Sequence, residues 1–231
     1  LTPSPFRVQP KCQFHKQCGG CQIQAMDYAK QLEFKHNKVR NNLIRIGGLD
    51  ADYVDSIMEE PVGMDTPFYY RNKAQYPVSN GKIGFYADRS HDVIENKECY
   101  IQNKVIDEIA KYAFELTQKH HVSCYNEQSG KGTLRHIVIR IGINTDQVMI
   151  TFITNGEEFK NKDSIISELI NKYPNVVSVI QNINSENTNV IFGSKCVTLY
   201  GKDYIIDRLG DYKFKISPLY KGVFNCRIVP P

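Results

Sequence analysis

The chain has no tryptophan, and it has no apolar run near the roughly 20 residues a membrane-crossing helix needs. A membrane is therefore not an expected partner. There is no secretory leader, and the first residue is Leu1 rather than Met, so the chain reads as if cut from something longer. Several enzyme classes lack their marks: there is no G-x-S-x-G, no Walker loop and no H-E-x-x-H. No G-x-G-x-x-G follows an expected strand, which removes a Rossmann cofactor loop. No internal repeat is present. Charge of either sign is scarce in surplus: the balance is only +4, which permits RNA as a partner without demanding it. What remains, 231 residues with 41% hydrophobic content, is enough for one large or two small domains with a core.

The strongest positive signal is Cys12-x5-Cys18-Gly19-Gly20-Cys21, three thiols within ten residues. The glycine pair lets the backbone turn tightly, so that Cys18 and Cys21 can point at a common atom. Three thiolates do not close a zinc site or a four-iron cluster, and Cys99 is the best fourth ligand, to be delivered by tertiary folding. One knuckle plus a remote ligand favours iron–sulfur over structural zinc, which usually shows two short pairs. His15 is an alternative zinc ligand, though a loop histidine is more often simply solvated. A disulfide framework fits poorly with seven cysteines and no leader. Cys124, Cys196 and Cys226 each stand alone and read as small buried hydrophobes.

Residues 1–26 form a proline-rich lead-in and the cysteine knuckle. Helical spacing of Tyr28, Leu32, Val39, Leu43 and Ile46 predicts a helix from about Asp27, stopped at Gly47-Gly48. Residues 49–67 are acidic and read as a connection. Tyr69–Val78 reads as a strand, turned by Asn80-Gly81 into Lys82–Tyr86. A helix is expected over Asn103–His120, a hairpin over Leu134–Ile153, and a helix over Asp163–Tyr173. A strand is expected at Val176–Ile183, followed by short strands around Val190–Phe192, Cys196–Tyr200, Tyr204–Asp207 and Tyr212–Ile216. The order implies an α+β fold, an antiparallel sheet with flanking helices and an N-terminal knuckle. Arg71 and Lys73, interleaved with Tyr70, and then Arg135 and His136, are the candidate RNA contacts, because cations meet phosphate and rings stack on bases. On composition alone, the solvated polar face of a sheet is the better explanation of both clusters.

With these elements placed, the chain resembles the iron–sulfur class of 23S rRNA (uracil-5-)-methyltransferases. The resemblance is carried by the knuckle with Gln22, Tyr70-Arg71-Asn72-Lys73-Ala74-Gln75, Gly84-Phe85-Tyr86 and Glu98-Cys99. It continues through Gly132-Thr133-Leu134-Arg135-His136 and Phe214-Lys215-Ile216-Ser217-Pro218. It implies that Cys12, Cys18, Cys21 and Cys99 hold a [4Fe-4S] cluster, and that residues 49–219 are the family's central α+β domain, which grips folded RNA. It implies that the helix of residues 27–48 packs on the methyltransferase domain. That domain supplies the S-adenosylmethionine site, the catalytic thiolate and the base. Residues 220–231 do not follow the family's continuation and read as an aberrant tail. The expectation is thus the cluster-bearing, RNA-positioning part of such an enzyme. It has no catalytic residue of its own, is inactive alone, and is monomeric and cytoplasmic, with 23S rRNA or another structured RNA as partner. The alternatives are a stand-alone metal-dependent RNA-binding module and a zinc knuckle in a protein-interaction domain.

Overall fold

The computed structural model describes residues 2–219 and the backbone of Arg227–Val229. Most of the 220–231 tail, with Cys226, therefore lies outside the described residues. The chain divides into two compact units, Leu1–Phe68 and Tyr69–Pro231.

The first unit is built from local ties. Its lead-in returns on itself at the antiparallel bridge Arg7↔Met26. Helix α1 spans Tyr28–Arg45, and Asp27 caps it by accepting from the amides of Ala29 and Lys30. It has no fully buried residue, and Phe34, Val39 and Ile46 are exposed. A second helix, α2, Ala51–Ile57, stands where the acidic run reads as a plain connection. Asp50 caps it through the Tyr53 amide, and Val54 is fully buried. Arg40 of α1 grips Asp55 of α2 with both ends of its guanidinium, and the Tyr28 hydroxyl accepts from the Met64 amide.

The second unit is organised around a six-stranded sheet. Strand β1 is Lys73–Ser79 and β2 is Lys82–Ile83. They are joined by Asn80-Gly81, both at positive φ (50° and 72°), as a two-residue hairpin turn requires. The return strand stops there. A Cβ at Gly84 would lie 1.9 Å from the Ile94 carbonyl oxygen. That close approach seats β3, Phe85–Tyr86, against β4, Val93–Ile94, in a separate ribbon. Then follow α3, Lys104–Lys119; β5, Leu134–Ile141; β6, Val148–Thr154; α4, Lys162–Lys172; and β7, Val176–Ile183. Strand β8, Lys195–Gly201, completes the sheet in the order β2-β1-β5-β6-β7-β8. Strands β9, Ile205–Leu209, and β10, Tyr212–Ile216, with β11, Arg227–Val229, make a small sheet. Residues 190–192 form no strand.

The wholly antiparallel sheet expected from the sequence needs one correction: β6 and β7 are parallel. The reason is α4, which carries the chain back along the sheet before β7 begins, as a parallel pair demands. The fold is therefore mixed α/β. Ile106, Ile109 and Ala113 of α3 and Leu169 of α4 pack with Ile139, Ile150 and Phe152 in the main core. Strands β5 and β6 are buried along their whole length. On their other face, Met149 and Ile180 meet Ile205 in a smaller cluster.

Candidate functional site

The three knuckle thiols lie in the first unit and Cys99 in the second, on the loop between β4 and α3. All four are half-buried thiols. The loop is held by backbone bonds from the amides of Gln17 and Cys18 to the Phe14 carbonyl. The Gly20 amide donates to Cys18 Sγ across 3.4 Å. Among the described residues, no group of three or more Cys, His, Asp or Glu side chains is arranged to hold a metal ion. The donor chemistry thus suits a thiophilic centre, while the described arrangement does not gather a ligand set. Of the lone cysteines, Cys196 packs beside the smaller cluster, where burial pushes its thiol pKa up, and Cys124 is half-buried against the main core.

Arg71 is exposed just before β1, and its backbone is tied to the Ile101 carbonyl. Lys73 is half-buried on β1, directly across from Arg140 of β5. Burial, with the Arg140 charge, brings its pKa down to about 8. Its ammonium lies 5.8 Å from the centre of the Phe192 ring.

Arg135 and His136 are not on an open surface; each is 6% exposed. The Arg135 guanidinium donates to the carbonyls of Asn184 and Glu186, both at 2.7 Å, and covers the Tyr125 ring at 4.6 Å. Strict strand alternation would send the two side chains to opposite faces. Instead the β5–β6 register slips between Leu134 and His136. Such a bulge re-aims a side chain, and both residues line one pocket of about 160 Å³. Burial, with the neighbouring Arg135, holds the His136 pKa near 4, so its ring is neutral. Its Nε2 lies 3.4 Å from the Tyr86 hydroxyl, and its buried Nδ1 has no hydrogen-bond partner.

The rest of this pocket was not foreseen from the sequence. Tyr86 stacks on His91, centroids 5.1 Å apart and planes 24° apart. His91 Nδ1 meets Glu127 Oε2 at 2.6 Å, and the Tyr86 hydroxyl lies 3.4 Å from Glu127 Oε1. Asn80 and Asp92 also face the space. Only the Gly84-Phe85-Tyr86 stretch hinted at this place; the contribution of Glu127 depends on a loop that meets Tyr86 only after folding.

The second unit thus carries Arg71 and Lys73 at the head of β1 and a separate polar, aromatic-walled pocket. No known protein-family model matches the chain. It is 45% identical over 223 residues to a Clostridium tetani protein named an uncharacterized RNA methyltransferase, a match that takes in 95% of this chain and 47% of that one. A Bacillus cereus protein of the same name is 43% identical over 220 residues, with 94% and 47% covered. The fold matches the tRNA (uracil-54, C5)-methyltransferase of Pyrococcus abyssi, solved in complex with S-adenosyl-L-homocysteine. That match has a TM-score of 0.70 and 26% identity, covering 95% of this chain and 48% of that one. The homologues are thus named RNA methyltransferases and the structural neighbour is a uracil-C5 methyltransferase; the chain spans about half the length of the relatives it matches.

Proposed function

We propose that this chain is the RNA-positioning part of an S-adenosylmethionine-dependent RNA uracil-5 methyltransferase of the iron–sulfur class, acting on 23S rRNA. The observation that carries the reading is the match of nearly the whole chain, in sequence to proteins named RNA methyltransferases and in fold to a tRNA uracil-C5 methyltransferase. The S-adenosyl-L-homocysteine of the structural neighbour supports S-adenosylmethionine as methyl donor. Methylation at C5 of uracil calls for a thiolate that adds to C6 and a base that then removes the C5 proton. We assign neither role to a residue of this chain. The contribution proposed for this chain is electrostatic and geometric: Arg71 and Lys73 take phosphate.

Cys12, Cys18, Cys21 and Cys99 are the proposed ligands of a [4Fe-4S] cluster, with a structural role and a cytoplasmic, monomeric protein around it. Spacing and the Gly20 amide aimed at Cys18 support the assignment. The exposed apolar side chains of α1, Phe34 and Val39 among them, are the proposed seat of the methyltransferase domain. No described helix is long and apolar enough to cross a membrane.

The decisive experiment is incubation of this chain, supplied with the methyltransferase half of one of its relatives, with labelled S-adenosylmethionine and either 23S rRNA or tRNA transcripts. Formation of 5-methyluridine in the ribosomal RNA is expected. Label in tRNA alone would move the substrate, and label in neither would overturn the reading. Anaerobic preparation should yield iron and sulfide in the wild type and neither in Cys18→Ala; equal iron in both would remove the cluster assignment. Arg71→Ala should weaken RNA binding and flatten its salt dependence by about one ion.

A further inference from the structure

The pocket at the β5 bulge differs in chemistry from the Arg71 and Lys73 pair at the other end of β1. Its volume of about 160 Å³ is close to that of the roughly 150 Å³ cavity known to take one benzene ring. A flat base fits such a space, with its sugar and phosphate left at the open side. The walls suit a flat ring, with the Tyr86–His91 stack on one side and Tyr125 under the Arg135 guanidinium on another. Such surfaces receive nucleobases by stacking.

The charges around the space select further. Glu127 and Asp92 bring two carboxylates, while the Arg135 guanidinium donates to backbone carbonyls of residues 184 and 186. Carboxylates repel phosphate and accept hydrogen bonds from exocyclic amino groups. Glu127 Oε1 has only a 3.4 Å contact to the Tyr86 hydroxyl, which leaves it acceptor capacity. The Asn80 amide can serve a ring nitrogen or a carbonyl. Deep in the same place, His136 is buried, neutral and has an Nδ1 without a protein partner. That Nδ1 is enclosed by protein, while Nε2 lies 3.4 Å from the Tyr86 hydroxyl, so His136 gives the pocket a neutral polar wall.

We propose that this pocket receives one unstacked RNA base that carries an exocyclic amino group, adenine, cytosine or guanine. The inference rests on the RNA methyltransferase reading above. It separates two bases of the substrate. Where cytosine carries its amino group uracil carries the O4 carbonyl, which a carboxylate disfavours, so we assign the pocket to a nucleotide other than the uridine that is methylated. It anchors a different nucleotide, splayed from the fold of the RNA, and so helps decide which uridine is presented.

The test is titration of the full chain with tetranucleotides of adenosine, cytidine or uridine, followed by ligand-observed NMR and by fluorescence anisotropy. The adenosine and cytidine tetramers are expected to bind roughly tenfold tighter than uridine, the discrimination of a good base-edge contact. Glu127→Gln should erase the preference, because the amide no longer sets a negative charge against the uracil carbonyl. His91→Ala should weaken all of them through lost stacking. Both side chains are exposed at the mouth, so neither change is expected to disturb the core. Equal or tighter binding of uridine, or a preference that survives Glu127→Gln, overturns the inference. If no tetramer binds while a structured transcript binds with a salt dependence that Arg71→Ala reduces, the pocket assignment falls and the RNA reading stands. If nothing binds, both fall.

Discussion

The two units of this chain are stabilised in different ways. Residues 69–219 hold two fully buried strands, β5 and β6, and a core in which Ile106, Ile139, Ile150 and Phe152 are fully enclosed. Residues 2–68 hold two helices of which only Val54 is a buried core residue. Burial of apolar surface dominates the first case. Caps, an exposed Arg40–Asp55 pair and loop hydrogen bonds serve in the second, and such terms are individually small. An element with so little core depends on whatever it binds, which is why a cysteine knuckle in this unit carries weight.

The contrast can be broken most forcefully in the core. Phe152→Ala should cost about 3–5 kcal/mol, because a large cavity is left where no exposed neighbour can collapse into it. Urea unfolding followed by the circular dichroism of the sheet would show it, and a loss below about 1 kcal/mol would mean the core is looser than its burial implies. Next comes acid. His136 is held near pKa 4 against an ordinary 6.5. As pH falls from 6.5 towards 4, the unfolded chain takes up a proton that the folded one refuses. Folded stability is therefore whole above 6.5 and declines through this window, by on the order of 3 kcal/mol. The charged and titratable neighbours are Arg135, Glu127 and His91. The pH slope of thermal unfolding should flatten in His136→Gln; an unchanged slope would assign it to other groups. Smaller still is the loss of a cap. Asp27→Ala should cost about 1 kcal/mol, and hydrogen exchange should show it at the amides of Ala29 and Lys30 in the first unit, with the sheet unmoved. A change spread evenly over both units would erase the distinction drawn between them.

Much of this architecture is legible in the residue order. Asp27 and Gly47-Gly48 bracket α1, and Asn80-Gly81 marks its hairpin, because caps and turns are local chemistry. The α3 and β7 boundaries follow from apolar spacing in the same way. Helix α2 is hidden because seven acidic-flanked residues carry too few turns to show a period. The parallel β6–β7 pair is hidden because strand direction is set by where α4 returns the chain. The candidate site is legible in part. Tyr86, Arg135 and His136 lie in stretches that stand out, but strand alternation places Arg135 and His136 on opposite faces. Only the bulge, a property of the β5–β6 pairing, brings them together. Glu127 and His91 meet across a long separation in sequence and leave no local trace.

The pairing of β1 with β5 has a consequence for how the chain reaches this state. Tyr76 lies opposite Ile137, so the intervening loop closes over about sixty residues. Strands β5 and β6 are joined by a few residues and should find each other long before that loop shuts. Strand β1 is thus expected to be a late arrival, added to a nucleus already built from residues downstream of it.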